Sequence, residues 1–213
     1  MPTIDWNRIW EGELEKFKKT SDKGHYFGDQ WGHPNEMKWV KKVVNTYVLP
    51  FINKNHTTVE IGSGGGRWTQ FLLDFKKLYC VDLNKKLLDY LLERFGPRPN
   101  ISFIHTTGTD LSEIPKNSVD FVFSFDVFVH LDIDLIREYL KNIKEIVKDQ
   151  SNIVIHYSES KKLPAKELIK NKIFSENTAE AMRKLVLDEG YIIISEDLDT
   201  VGHSNIIHFK PKS

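Results

Sequence analysis

Four glycines stand within five positions, at Gly62, Gly64, Gly65 and Gly66, and an acid, Glu60, comes just before them. Glycine lets the backbone turn sharply between a strand and a helix and lets a ligand approach the main chain. Asp82 follows Gly62 by twenty positions, at the end of a second strand-like run. A carboxylate at that place can accept hydrogen bonds from both hydroxyls of a ribose. A glycine turn alone is weak evidence, because a tight strand-to-helix connection needs glycine anyway. Together with an acidic strand end in register, it points to an adenosine-type cofactor. Two common glycine loops do not fit. A Walker loop would end Gly-Lys-Ser or Gly-Lys-Thr, whereas Gly66 is followed by Arg67 and Trp68. The dinucleotide spacing G-x-G-x-x-G, started at Gly62 and Gly64, reaches Arg67 in its last place and fails.

The elements that position these residues alternate in type. Residues 57–61 are short, β-rich and run directly into the glycines, residues 68–75 read as a helix, and 77–81 as a second strand. Residues 84–95 carry Leu87, Leu88, Leu91 and Leu92 at helical spacing, with Asn84 as N-cap and Gly96-Pro97 as the stop. Residues 101–105 form a third strand and the almost wholly apolar 119–124 a fourth, covered on both faces. A helix starts at Asp132 or Asp134, with Ile136, Tyr139, Leu140, Ile143 and Val147 as its buried stripe. Residues 152–157 read as a fifth strand, a Lys-rich polar connection follows, and 177–189 is a helix closed by Gly190. Strands at 191–196 and 205–209 come last, joined by a loop with Gly202 and His203. The pattern predicts an α/β fold: a seven-stranded, mainly parallel Rossmann-like sheet, helices on both faces and a C-terminal antiparallel hairpin.

The first thirty-five residues differ from the rest. Trp6, Trp10, Trp31 and Trp39 are four of the five tryptophans, joined by Phe17, Tyr26 and Phe27. Helices expected at 6–19 and 36–48 flank a polar loop containing glycine. One domain is expected over 1–213, with 1–50 a helical, aromatic-rich appendage or lid and 57–213 the cofactor-binding core. The aromatic residues pack on the core, close over a pocket, or do both.

Composition narrows the function classes. The 213 residues hold 30 Lys+Arg against 30 Asp+Glu, so no global basic field exists to hold nucleic acid by counterion release. A single cysteine excludes an internal disulfide framework and a Cys-rich zinc module. No His or carboxylate set shows metal-ligand spacing, so no metal site is expected. The start of the sequence lacks the apolar core of a signal peptide and no apolar run is long enough to cross a bilayer, which predicts a cytoplasmic protein without membrane contact.

Glu60, Gly62, Gly64 and Gly66 match the pattern Glu-x-Gly-x-Gly-x-Gly. With this motif, Asp82 and the element order, the chain resembles the class I S-adenosylmethionine-dependent methyltransferases from about Val59 onward. The resemblance implies S-adenosylmethionine as cofactor and S-adenosylhomocysteine as product. It implies that Glu60 and the loop of Gly62, Ser63 and Gly64 hold the methionine part, and that Asp82, with Leu83 beside it, clasps the ribose. Asp110 and Leu111 resemble the segment that contacts adenine. Phe125 and Asp126 resemble the segment beside the methionine and the transferred methyl. The physical chemistry agrees: the cofactor is a sulfonium cation without phosphates, and the carboxylates at Glu60, Asp82 and Asp110 suit an amine-, ribose- and adenine-bearing ligand.

Methyl transfer asks an enzyme mainly to position its reactants and exclude water. An alcohol acceptor also calls for a general base, for which histidine is suited near neutral pH. His130, just past Asp126, and His156, near the end of the fifth strand, are the catalytic candidates, with His203 a third. His105 and His208 lie within apolar strands and read as packed residues, and Cys80 as a small buried hydrophobe. In the segment 24–34, Tyr26, Gln30 and Trp31 are expected to cover the cofactor or line the acceptor site. A compact domain favours a small-molecule acceptor, such as a sugar or secondary metabolite, methylated on oxygen or nitrogen by a monomer or homodimer. The alternatives are a cofactor-binding protein without catalysis, separable by a turnover assay, and an NAD-linked oxidoreductase, disfavoured by the failed dinucleotide spacing and the terminal hairpin.

Overall fold

The computed structural model describes residues 5–20, 25–33 and 36–212. Gly24 and Pro34, the ends of the segment expected to close over the site, lie outside the described residues. Helix α1 (Trp6–Thr20), a loop and helix α2 (Lys38–Tyr47) precede the sheet. The sheet comprises β1 (Thr57–Ile61), β2 (Lys77–Asp82), β3 (Ile101–His105), β4 (Val119–Ser124), β5 (Val147–Ser158), β6 (Tyr191–Asp197) and β7 (Ser204–Pro211). Helices α3 (Lys85–Phe95), α4 (Ile133–Ile146), α5 (Leu163–Lys170) and α6 (Ala179–Asp188) fall between strands.

The strand order is β3-β2-β1-β4-β5-β7-β6. Pairing is parallel from β3 to β5, and β7 runs antiparallel to both β5 and β6. The order reverses at β1, whose neighbours are β2 on one side and β4 on the other. A crevice therefore opens beyond the C-terminal ends of these strands, where a ligand can sit between diverging loops. Ser124 fastens the rim by donating from Oγ to the Ile61 carbonyl across 2.8 Å.

Both faces of the sheet are covered by apolar stripes. Ile136, Leu140 and Ile143 of α4, with Met182 and Leu185 of α6, bury one face. Val40, Val43 and Val44 of α2, with Leu88 and Leu91 of α3, bury the other. The caps are the expected ones: Asn84 Oδ1 accepts from the Leu87 N–H, and Asp132, rather than Asp134, caps α4 by accepting from Leu135. Thr178 caps α6 in the same way.

Three expected elements differ. The helix expected at 68–75 is a single 3₁₀ turn, Thr69–Phe71. Bends and turns fill the rest of this connection, with Trp68, Leu72 and Phe75 buried against the sheet. The Lys-rich connection contains α5, where lysines mask an inward stripe of Ala165, Leu168 and Ile169. The fifth strand begins at Val147 rather than 152, pairing Val147 with Val119 before a register shift.

Candidate active site

The glycine turn has a different reason at each position. A Cβ on Gly65 would lie 2.1 Å from the Phe27 carbonyl oxygen, so Gly65 lets the N-terminal loop rest on the turn. A Cβ on Gly62 would lie 2.0 Å from Val127 Cγ2. Gly64 is different: its φ is +51° and no atom lies within 4 Å of a Cβ placed there. The turn thus presents its open backbone at Gly64. Ser63 is buried and donates from Oγ to the Glu60 carbonyl at 3.3 Å.

Asp82 ends β2 as a buried carboxylate. Its Oδ2 accepts from the Gly64 N–H at 2.8 Å, and its Oδ1 from the Asn84 N–H at 2.8 Å. Burial pushes its carboxyl up, and these main-chain donors pull the other way. Leu83 is half-buried, its carbonyl 3.1 Å from His105 Nε2. Glu60 is also buried, its Oε2 accepting from Thr69 Oγ1 at 2.5 Å. Burial raises the Glu60 carboxyl to about 7, so the crevice floor holds a group poised between acid and carboxylate. After β3, Asp110 is exposed and bends back to accept from the N–H and hydroxyl of Ser112, which hold it below the usual carboxylate range. Leu111 is buried in the core. Tyr139 Oη and Asn142 Nδ2 donate to the carbonyls of Gly108 and Thr109, so α4 anchors this loop.

At the end of β4, Asp126 adopts φ +61°, an uncommon conformation for a residue with a side chain. Its surroundings hold it there. Arg67, nearly fully buried, pairs with Oδ2, and the Asp126 N–H donates to His156 Nδ1 at 3.1 Å. Burial alone would raise the Asp126 carboxyl, but Arg67 and His156 override it and hold it well below the usual carboxylate range. His156 is fully buried, stacked on Phe125 with centroids 3.9 Å apart, and burial lowers its affinity for a proton. Nδ1 of His156 also lies 3.2 Å from Asp126 Oδ1, and Nε2 bonds Ser204 Oγ; the hydroxyl is in turn 2.8 Å from His203 Nδ1. Both His156 nitrogens are engaged within the chain, and the ring braces Asp126 and Phe125.

His130 stands differently. Its Nδ1 lies 2.6 Å from the Ile173 carbonyl oxygen. A carbonyl only accepts, so in the neutral ring Nδ1 carries the proton and Nε2 keeps its lone pair. Burial lowers the His130 pKa while Ile173 and Asp126 pull it up, so the ring is neutral at pH 7. The ring centroid of Trp6 lies 4.4 Å away, that of Trp10 6.0 Å and that of Phe174 5.7 Å. Trp31, 41% exposed, meets Trp10 edge-on at 5.6 Å.

Helix α1 consequently spans the crevice. The Asn7 carbonyl accepts from Asn84 Nδ2 beyond β2, and Trp6 and Trp10 lie against His130 beyond β4. The sequence placed the cover in the loop around Trp31; the helix ahead of it carries much of that cover. Tyr26 is turned toward Arg94, whose guanidinium lies 4.0 Å from its ring, and Gln30 Oε1 accepts from the Gly28 N–H. Arg67, Trp6, Trp10 and Phe174 were not among the expected site residues. The tryptophans were visible as aromatic density, whereas nothing local marked Phe174. Among the described residues no three His, Cys, Asp or Glu side chains gather as a metal site, and no helix is long and apolar enough to cross a membrane.

Residues 59–155 match the family model described as "Methyltransferase domain". Among curated protein sequences no match is found. The fold is similar to that of a Haloferax volcanii methyltransferase solved with the Trm112 methyltransferase activator, with TM-score 0.73, 12% identity and 100% of both chains covered. It is also similar to a SAM-dependent methyltransferase from Archaeoglobus fulgidus, with TM-score 0.66 and 16% identity over 86% of this chain and 97% of that one. Geranyl diphosphate methyltransferase, solved with GPP and sinefungin, gives TM-score 0.67 and 13% identity over 96% and 97%. At these identities the likeness is one of fold. Family match, strand order and glycine turn agree: residues 59–155 match a methyltransferase domain, and the chain has the α/β, Rossmann-like methyltransferase fold.

Proposed function

We propose that the chain transfers the methyl group of S-adenosylmethionine to oxygen or nitrogen of a small-molecule acceptor, with His130 as general base. The observation that carries this reading is one juxtaposition. The open backbone at Gly64 and the buried Asp82 carboxylate lie on one side of the crevice, and His130 lies on the other under Trp6 and Trp10. The residues fit the cofactor. Asp82 offers a buried acceptor to the ribose, Gly64 leaves room beside it, and Asp110 lies on the α4-anchored loop where an adenine amine would be met. Leu83, Leu111 and Phe125 supply the apolar contacts, and Glu60, Gly62 and Ser63 shape the methionine end.

When bound, S-adenosylmethionine supplies an electrophilic methyl on a sulfonium. The chain's part is to hold, enclose and deprotonate. His130 Nε2 takes the proton that the acceptor hydroxyl or amine gives up, and the Asp126 charge stabilises the imidazolium. Aromatic rings around His130 exclude water and suit a ring-bearing acceptor such as a sugar or a secondary metabolite. Tyr26, Gln30 and Trp31 close the N-terminal side. Calorimetric titration with S-adenosylmethionine, S-adenosylhomocysteine and NAD, repeated on Asp82→Ala, tests the cofactor reading. Binding of the first two, lost in the variant, is expected. Binding of NAD alone would overturn it. S-adenosylhomocysteine formation across an acceptor panel, with His130→Gln as control, tests the transfer itself.

A further inference from the structure

Two side chains directly after the glycine turn carry buried donors with no hydrogen-bond partner among the described residues: Arg67 Nη1 and Trp68 Nε1. Both residues are 5% exposed. Buried donors are almost always satisfied, because an unpaired one bears its full desolvation penalty. The two belong together, since the Arg67 guanidinium lies 4.9 Å from the Trp68 indole and 5.9 Å from the Phe125 ring. The other terminal nitrogen, Nη2, is bonded to Asp126. Gly28 of the N-terminal loop lies over the Arg67 side chain, where a Cβ would come within 3.2 Å. One charged and one neutral donor are thus buried on adjacent side chains, close in sequence to the open Gly64, and neither meets an acceptor among the described residues.

We infer that Arg67 Nη1 and Trp68 Nε1 form a carboxylate subsite, and that its occupant is the α-carboxylate of the cofactor's amino-acid end. The inference rests on the proposed cofactor and adds two residues to those expected to hold it. Charge selects the ligand class. Asp126 already shares the Arg67 charge, so a dianion such as phosphate would be repelled there, while a planar monoanion meets a half-neutralised guanidinium and a neutral donor. Position selects the source, because the subsite adjoins the turn that would carry the methionine part.

The test compares two ligands that differ in the amino-acid end. S-adenosylhomocysteine has the carboxylate, and 5′-methylthioadenosine lacks it. Calorimetry on wild type and Trp68→Phe, which keeps the ring and removes only the N–H, should show about tenfold weaker S-adenosylhomocysteine binding and unchanged 5′-methylthioadenosine binding. Arg67→Met should weaken S-adenosylhomocysteine by about 100-fold. It also removes the Arg67 charge from Asp126, so Trp68→Phe decides the matter if Arg67→Met fails to fold. Unchanged S-adenosylhomocysteine binding by Trp68→Phe, or equal weakening of both ligands, would overturn the subsite. Benzoate, titrated with 5′-methylthioadenosine bound, covers the other source: if Trp68→Phe weakens benzoate but not S-adenosylhomocysteine, the donors serve the acceptor and the assignment fails. If neither adenosine ligand binds folded wild type, the cofactor reading itself falls.

Discussion

The two sides of the crevice are built by different means. On the β2 side, Gly64, Asp82 and Asn84 are joined through main-chain N–H groups and one carboxylate, all within a short stretch of chain. On the β4 side, Trp6, Trp10, His130 and Phe174 come from distant segments and meet ring to ring. The first arrangement is made by backbone geometry and tolerates little change in residue type. The second is made by packing, and its shape depends on how α1 and the segment after α5 lie over the strand ends. On the proposed function, nucleotide recognition falls to the rigid side and acceptor choice to the assembled one. Substitutions on the β2 side should change affinity, and those on the β4 side turnover.

The largest expected effect lies on the assembled side. His130→Gln should lower kcat by about 10²–10⁴ and leave S-adenosylhomocysteine affinity within about twofold. Since burial sets the His130 pKa below the ordinary imidazole value, wild-type kcat should be full at pH 7 and fall only at lower pH, as the base becomes protonated. The variant should lack that acid limb, and an equal loss of cofactor affinity would erase the division between the sides.

Asp82→Ala should weaken S-adenosylmethionine and S-adenosylhomocysteine by about 100-fold in calorimetry, since a charged acceptor for two hydroxyls is removed. Glu60 sharpens the comparison through pH. Its carboxyl is raised from 4.5 to about 7 in the fold, so the native state holds a proton that the unfolded chain has released between these values. The contribution of this residue to stability therefore falls as pH rises through that window and stays low above it. Glu60→Gln keeps an acceptor for Thr69 and should gain up to about 3 kcal/mol over wild type above pH 7, the gain vanishing toward pH 4.5 in urea titrations. The smallest effects separate two neighbouring glycines. Gly65→Ala meets the Phe27 carbonyl and should cost about 1–3 kcal/mol of stability. Gly64→Ala should cost about 1 kcal/mol for its left-handed backbone and act mainly on cofactor affinity.

The division also decides what could be read in the sequence. β1, β3 and β4 lie at their expected positions because local pattern and burial agree there, and Asn84 and Asp132 act as caps because capping is a local property. Asp82 was legible since its place relative to the glycines is fixed by one crossover. The partners of His130 were not legible. Its tautomer is set by the Ile173 carbonyl, 43 residues away, and nothing near position 130 announces it. His156 was the second candidate from its place on β5, yet Phe125 and Ser204 close both its face and its edge. Arg67 was read only as the absence of a Walker lysine, because its ion pair with Asp126 joins residues far apart in the chain. The helix expected at 68–75 is only a 3₁₀ turn, because its apolar residues pack on the sheet from turns as well as from a helix and so do not specify one.

The cover over the crevice has an optical consequence. Trp6, Trp10 and Trp31 form a chain of indoles that ends on His130. Indole emission responds to the polarity and neighbours of the ring, so entry of a ligand beneath α1 changes the signal of the residues it passes. The protein carries its own label where α1 meets His130. Rapid-mixing fluorescence on unmodified material would time closure and product release separately from transfer.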